Sequence, residues 1–136
     1  MNELNVRNLK ESDWDTLCKW WESWPKWVNP PKSFLPDNGT GGLMVEKNGT
    51  PICACFIYFT NSDAALLEWV VSDPEYREKD RKDALDLLIT SAEKSCKDVG
   101  IVHMFSIGRS KPLIERHKKL GWVVDEDPSH ELIKNI

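Results

Sequence analysis

Glu68 is the only charged residue in an otherwise apolar run from Ala64 to Val71. A carboxylate in such a run is costly to bury unless it is paired or faces a cleft. Catalytic acids and bases often occupy positions of this kind. Glu68 is therefore a candidate general base, and the alternative is an outward-facing residue on an exposed part of the sheet.

A dense run of charge follows this strand. Arg77 to Lys82 holds four cations and two anions, a net charge of +2. A strand that feeds a helix N-terminus presents unpaired N–H groups and the positive end of the helix dipole, which together attract anions. The segment therefore predicts an anion site, and the alternative is a solvated, charged start of a helix.

Tryptophan is concentrated near the N-terminus. Five of the seven tryptophans of the 136-residue chain lie within fourteen residues: Trp14, Trp20, Trp21, Trp24 and Trp27. Trp14, Trp21 and Trp24 share a helix face with Leu17, which predicts that they pack a helix on a sheet. Trp20 and Trp27 lie off this stripe, where they can line a pocket or hold a cation.

Composition excludes several classes of protein. The chain is 40% hydrophobic and 29% charged, with a net charge of −4, which is typical of one globular domain over 1–136. No apolar stretch approaches the roughly 18 residues of a membrane span, and the N-terminus lacks the apolar core of a signal peptide. We therefore expect no membrane association, and the acidic balance argues against a nucleic-acid partner.

The cysteines and histidines do not form a metal-binding pattern. The four cysteines include no CxxC pair, and the three histidines are scattered late in the chain. We expect no metal site. Small buried cysteines are typical of a reducing compartment, which predicts a cytoplasmic location.

Hydrophobic patterning predicts the elements that position these residues. Ser12 is the predicted N-cap of the first helix, and Asn48-Gly49 predicts a type I′ hairpin. A three-strand meander followed by a β–α–β crossover indicates a mixed α/β sheet. The predicted helices are 13–24, about 80–98 and 111–120; the predicted strands are 4–9, 43–46, 52–60, 64–71, a buried 101–107, 122–124 and 132–133, with a loop over 28–42.

Two segments resemble the GCN5-related N-acetyltransferase (GNAT) family. The first runs from Val70 to Leu85, and its Pro74, Tyr76 and Arg77 are similar to a strand that ends Val-x-Pro-x-Tyr-Arg. The second, 113–122, ends Leu-Gly-Trp and is similar to a helix that ends Tyr-x-x-Leu-Gly-Phe. The predicted element order matches over essentially the whole chain, and the chain also resembles acetyltransferase-like proteins of phages. The resemblance implies a mostly antiparallel sheet of about six or seven strands with three or four helices.

The resemblance further implies acetyl-CoA as co-substrate. Its pyrophosphate would lie where the family has Gly-x-Gly-x-Gly/Ala, but Glu78, Asp80 and Lys82 stand there instead. These side chains would crowd the phosphates, although a nest of backbone N–H groups survives wherever φ stays negative. The implied cofactor-binding residues are Val70, Val71, Arg77, Glu78, Lys79, Asp80, Arg81, Lys82 and Ser110.

The implied reaction is direct transfer of the acetyl group to a primary amine of a small molecule or a protein. Glu68 would serve as the base, and His117 stands where the family has the tyrosine thought to protonate the thiolate; otherwise His117 is a surface helix residue. The resemblance places a bulge near 69–72 and the acceptor beside Trp20, Trp24 and Trp27. We expect a monomer or a homodimer. The competing expectation is a catalytically silent module for ligand or protein binding that has lost acetyl-CoA.

Overall fold

The computed structural model describes residues 3–25 and 27–136. In this part of the chain there are five strands and three α-helices. They are β1 (Leu4–Asn8), α1 (Trp14–Ser23), β2 (Gly42–Lys47), β3 (Thr50–Phe59), β4 (Ala64–Ser72), α2 (Arg81–Asp98), β5 (His103–Phe105) and α3 (Lys111–Lys119). Short 3-10 turns occupy Glu11–Asp13 and Lys32–Phe34, and a turn with positive φ at Asp37 and Asn38 occupies Pro36–Gly39.

The strands form one mixed sheet in the order β1-β2-β3-β4-β5. The first four strands are antiparallel, and β5 runs parallel to β4. Asn48 and Gly49 have φ of 52° and 80°, as a type I′ turn between β2 and β3 requires. The mixed, mostly antiparallel architecture predicted from the sequence is confirmed.

The C-terminal part of the sheet is smaller than the sequence suggests. The predicted strands 122–124 and 132–133 are irregular, with Val123 and Leu132 almost fully exposed. Two or three apolar residues form too few ladder hydrogen bonds to offset the entropy of ordering them. The predicted strand 101–107 is confirmed only over the three residues of β5, and its predicted burial is wrong, because Phe105 and the following Ile107 are exposed.

The helix ends show which local signals hold. Ser12 lies inside a 3-10 turn rather than at the helix cap, and Asp13 precedes α1. The prediction for Ser12 was wrong because the buried Asp13 carboxylate accepts the Lys10 N–H and pairs with Arg7. At the other end of the chain, Ser110 caps α3 through a hydrogen bond from the Leu113 N–H to its Oγ.

The sheet buries a different helix on each face. Helix α2 packs on one face, where the buried residues include Ile52, Cys53 and Cys55. Ile52 joins this cluster because the β2–β3 register shifts beside it, whereas strict alternation would place it on the other face. Helix α1 covers the opposite face. Its cluster contains Leu9, Leu17, Trp20, Trp21, Leu35, Met44, Ala54, Phe56 and Val71.

The four cysteines are free thiols, and Cys53, Cys55 and Cys96 are buried. Burial raises the pKa of Cys55 to about 12. A thiol with such a pKa stays protonated and unreactive near neutral pH. The prediction of small buried cysteines therefore holds for three of the four, while Cys18 is only half-buried.

Candidate functional site

Strand β4 bends at Trp69 and opens a cleft beside β5. Its register with β3 shifts between the pairs Ala54–Val71 and Phe56–Glu68. Trp69 has φ of +56°, which is unusual for a bulky residue. Its indole N–H donates to the Tyr58 hydroxyl at 3.0 Å. The bulge predicted near 69–72 is thus confirmed, and β4 pairs with β5 only before it.

The bent part of β4 directs backbone groups into the cleft. The Asp73 N–H donates to the Ile52 carbonyl on β3 at 2.8 Å. Because neighbouring residues of an antiparallel strand point their backbone groups to opposite sides, those of Ser72 and Val70 face away from β3. The Ser72 carbonyl accepts the Trp24 indole N–H at 2.8 Å. The backbone groups of Val70 can therefore form strand-like hydrogen bonds with a ligand in the cleft.

A cavity of about 620 Å³ lies along this edge of β4. Its apolar wall comes from the loop after α1, β4, α2 and α3, and the charged groups among the described lining residues are four cations and one carboxylate. The apolar residues are Trp24, Trp27, Val70, Val71, Leu85, Pro112 and Leu113; the charged residues are Arg81, Lys82, Arg116, Lys119 and Glu115. We call these four cations the basic rim. The cavity suits a ligand with an apolar arm and an anionic end.

The N-terminus of α2 opens on the basic rim. The Arg81 N–H bonds to Glu78 and the Ala84 N–H bonds to Asp80. Within the described residues, no backbone carbonyl accepts from the N–H groups of Lys82 and Asp83. The Arg81 guanidinium donates to Ser72 Oγ at 2.7 Å and lies over the Trp24 ring. Lys82, whose N–H is free of a backbone partner, and the fixed Arg81 guanidinium therefore both lie at this end of the cavity.

The loop into α2 does not require glycine. None of the described residues 73–83 has a positive φ, so ordinary side chains fit its backbone without strain. The loop can therefore adopt this backbone conformation without the glycines of the family motif. Five of the nine residues predicted to bind a cofactor line the cavity: Val70, Val71, Arg81, Lys82 and Ser110.

The other four predicted cofactor-binding residues lie off the cavity lining. Arg77, Glu78 and Lys79 are exposed on the loop. The Asp80 carboxylate is bonded to Lys47 and Tyr76 instead. The sequence therefore predicted too many cofactor-binding residues near the start of α2, because the loop turns three of these side chains toward solvent.

A second cavity of about 550 Å³ continues the cleft. It shares Trp24, Trp27, Val70, Ser110 and Leu113 with the first and extends to Trp69, Arg109 and Glu131. The Trp27 ring meets Trp69 edge-on at 6.0 Å. Arg109 lies 5.9 Å from the Trp27 ring centroid and is ion-paired with Glu131. The two cavities therefore share part of one wall.

The structure places two of the three tryptophans predicted to bind substrate at the cavities and the third in the core. Trp24 and Trp27 line both cavities, although Trp24 was also expected to pack the helix on the sheet. Trp20 is only 5% exposed and belongs to the core under α1. The prediction that Trp20 lines a pocket was wrong because the buried face of α1 is wide enough to include it beside Trp21.

Several lining residues were not assigned to the site from the sequence. Arg116 and Lys119 belong to a basic cluster on α3, and their i, i+3 spacing puts both on one helix face. That spacing could have indicated from the sequence that both belong to the site. Nothing in the sequence indicated Glu131, because the chain segment that brings it to Arg109 has no regular pattern.

Glu68 lies behind the wall of the second cavity. Its Oε1 accepts the Ile107 N–H at 2.8 Å, which ties the diverging strands together. Burial raises the pKa of Glu68, and the Ile107 hydrogen bond and the Arg109 charge offset part of this rise. Glu68 lines neither cavity, whereas Ile107, which it holds, lines the second.

His117 faces the interior rather than the cleft. It is 5% exposed, its Nδ1 lies 2.9 Å from the Leu113 carbonyl, and its ring meets Trp122 edge-on. Trp122 in turn donates its indole N–H to Glu93 of α2 at 3.0 Å. The expectation of a surface residue was wrong because the α3 face that carries His117 packs toward α2, and His117 lines neither cavity.

Sequence comparison alone finds no relative. No family model matches the chain, and no curated protein matches it significantly. Within 3–25 and 27–136, no cluster of three or more histidine, cysteine or acidic residues is arranged to hold a metal ion. No helix among these residues is long and apolar enough to cross a bilayer.

Comparison of the structure with solved structures is informative. The chain matches the ribosomal-protein-S18-alanine N-acetyltransferase of Escherichia coli with a TM-score of 0.69 and 15% identity, covering 88% of this chain and 77% of that one. The chain has the GNAT fold. It also matches an aminoglycoside N-acetyltransferase in complex with CoA, with a TM-score of 0.63 and 17% identity over 99% and 97% of the chains.

A third GNAT-fold match is part of a larger protein. N-acetylglutamate synthase from Neisseria gonorrhoeae, complexed with coenzyme A and L-arginine, matches with a TM-score of 0.73 and 10% identity. The match covers 95% of this chain and 30% of the synthase. Identities this low establish the shared fold alone, so function has to be argued from the cleft.

Proposed function

We propose that the protein binds acetyl-CoA in the β4–β5 cleft and transfers the acetyl group to a primary amine of a small molecule or a protein. The observation that carries this proposal is the first cavity, where an apolar wall along the bent strand ends at the basic rim. Solved GNAT-fold structures in complex with coenzyme A support the choice of ligand.

The residues of the cavity fit this ligand class. The pyrophosphate carries negative charge and suits Arg81, Lys82 and the free amides at the start of α2. The pantetheine arm has amides in an otherwise apolar chain, and it suits the backbone of Val70 beside the wall of Trp24 and Leu113. Ser110 lies in both cavities, where the arm would pass from one to the other.

The proposed reaction is a direct acyl transfer. The neutral amine nitrogen attacks the thioester carbonyl carbon, a C–N bond forms and the C–S bond breaks. The amine loses one proton, which Glu68 takes through a water since its carboxylate lies behind Ile107. The thiolate gains one proton from solvent. The chain contributes mainly by positioning the two reactants.

A silent binding module is the second candidate function. One observation favours it: among the described residues, the lining of the two cavities includes serine hydroxyls but no tyrosine, histidine or cysteine side chain to protonate the thiolate. His117 is buried elsewhere. Under this alternative the chain has lost acetyl-CoA and uses the cleft to hold another ligand or a protein partner, without catalysis.

Two measurements separate the candidates. Calorimetric titration with acetyl-CoA reports binding, and release of free thiol in the presence of a panel of primary amines reports transfer. Binding together with amine-dependent thiol release is the result that the transferase proposal predicts. Binding without release would show a protein that keeps the ligand but not the transfer, and no heat at millimolar acetyl-CoA would overturn the transferase proposal and favour the silent module.

A further inference from the structure

Asp80 places a carboxylate where the family motif has glycine, at the start of α2. It directly precedes Arg81 and Lys82, which belong to the basic rim. A free carboxylate at this position would repel a diphosphate over a few ångströms. The proposed function therefore requires that something restrain this group.

The structure shows such a restraint from two different elements. Asp80 Oδ2 accepts from Lys47 Nζ at 2.7 Å, and Lys47 is the last residue of β2. Asp80 Oδ1 accepts from the Tyr76 hydroxyl, also at 2.7 Å, in the loop before α2. These hydrogen bonds, that from Lys47 foremost, lower the pKa of Asp80. The group therefore remains charged near neutral pH.

The restrained carboxylate is absent from both the cavity and the helix cap. Asp80 does not line the cavity. Its side chain makes no capping hydrogen bond to α2, so it does not compete for the N–H groups of Lys82 and Asp83. Lys47 also balances its charge. The start of α2 thus keeps its anion-binding character although a carboxylate stands in it.

We propose that Lys47 and Tyr76 are positioning residues that hold the Asp80 carboxylate away from the diphosphate site and so replace the missing glycine. This inference rests on the proposed function. It goes beyond the ordinary role of a partly buried ion pair, with side chains 25% and 23% exposed, which would contribute to local stability alone. The distinguishing property is a coupling between Lys47 and Asp80 in ligand affinity.

A double-mutant cycle measures this coupling. Coenzyme A is titrated calorimetrically into the wild type, Lys47→Met, Asp80→Gly and the double variant. With Asp80 present, Lys47→Met is expected to weaken binding about tenfold, because the carboxylate is released toward the phosphates. With glycine at the position, the same change should cost less than about twofold, through the loss of a distant charge.

Three further variants sharpen the cycle. Lys47→Arg keeps both the charge and a donor and should retain near wild-type affinity. Tyr76→Phe removes one hydrogen bond without changing charge and should weaken binding only when Asp80 is present. Lys94→Met is the matched control, because it breaks the exposed Lys94–Asp98 pair far from the site and should leave affinity unchanged.

Each outcome decides the inference. Equal effects of Lys47→Met in the two backgrounds, or no effect in either, overturn it while leaving coenzyme A binding intact. If thermal melting shows that Lys47→Met does not fold, the Tyr76→Phe cycle gives the decision by the same criterion. Absence of coenzyme A binding by every protein, including the wild type, overturns the proposed function and this inference with it.

Discussion

Trp69 illustrates how a single residue shapes the cleft. Its positive φ bends β4, and its ring contacts those of Trp21, Trp27 and Phe34. A left-handed conformation costs a non-glycine residue about 1 kcal/mol or more. The aromatic contacts offset that cost, so the bulge is held by side-chain packing rather than by a permissive residue.

Glycine should therefore be better than alanine at this position. Both substitutions lose the ring, but Trp69→Gly also relieves the backbone, so it should be more stable than Trp69→Ala by about 1 kcal/mol. Urea denaturation of the two variants checks this. Leu66, two residues before Glu68 and free of positive φ, is the control: there the alanine variant should be the more stable. If the alanine variant were the more stable one at both Trp69 and Leu66, the result would contradict a strained bulge.

Glu68 should cost stability at neutral pH. Burial raises the pKa of Glu68, because it disfavours the charged carboxylate. The folded state is therefore most stable relative to the unfolded state below the unfolded-state pKa, where Glu68 is protonated. That part of the stability is lost as pH rises through the folded-state pKa. Glu68→Gln keeps an acceptor for the Ile107 N–H and removes the charge. It should be slightly more stable than wild type at pH 7, with the difference vanishing below about pH 4. Chemical denaturation at both values tests the sign.

The same substitution tests the base. If Glu68 takes the amine proton, wild-type turnover rises with pH through its raised pKa. Glu68→Gln should reduce kcat about 100-fold or more and abolish that pH dependence, while coenzyme A affinity stays within about twofold. An unchanged pH profile in the variant would assign deprotonation to solvent.

At the scale of the elements, one ion-pair network joins three segments. Arg7 of β1 donates to both Asp13 oxygens before α1, and to Glu46 of β2. Burial acts to raise the pKa of Asp13, but the hydrogen bonds from Arg7 and the Lys10 N–H outweigh it and lower that pKa. The network thus fixes where α1 starts relative to the sheet.

Removing Arg7 should be costly because Asp13 is buried. Arg7→Met should lower the free energy of unfolding by roughly 3 kcal/mol at pH 7. The stabilisation of Asp13 exists above its unfolded pKa, roughly 3.9, and is lost as pH falls through the lower folded pKa. The gap between wild type and variant should therefore narrow below about pH 4. Lys94→Met, at an exposed pair, should cost under about 0.5 kcal/mol.

Elements with strong local signals were predictable from the sequence. The hairpin at Asn48-Gly49 and helices α2 and α3 follow from turn chemistry and periodicity. Strand β5 did not, because its length depends on how far β4 diverges from it. His117 and Trp20 were misplaced for a related reason: which face of a helix is buried depends on the partner element, and a sequence pattern does not specify how wide that buried face is.

Across the whole molecule, the excess of negative charge contrasts with a local excess of positive charge at the first cavity. The chain carries a net charge of −4, yet four cations and one carboxylate line the first cavity. Such a local concentration attracts an anionic ligand and makes its affinity sensitive to salt. Helix α3 offers a direct test, because Lys119 lines the cavity whereas the adjacent Lys118 does not.

The two neighbouring lysines should behave differently. Lys119→Gln should weaken coenzyme A binding about threefold to tenfold and reduce its salt dependence. Lys118→Gln, which makes the same charge change one residue away, should alter affinity by less than about twofold. Equal losses would indicate a general effect of net charge rather than a contact at the basic rim.

The most direct test of the central claim compares coenzyme A with pantetheine by calorimetric titration. Both ligands carry the arm that suits the apolar wall, but only coenzyme A carries the phosphates. We predict that coenzyme A binds at least about tenfold tighter at low salt, and that a combined Arg81→Gln and Lys82→Gln substitution removes most of this advantage. Equal binding of the two ligands, or an advantage that survives the substitutions, would contradict a diphosphate site at the basic rim.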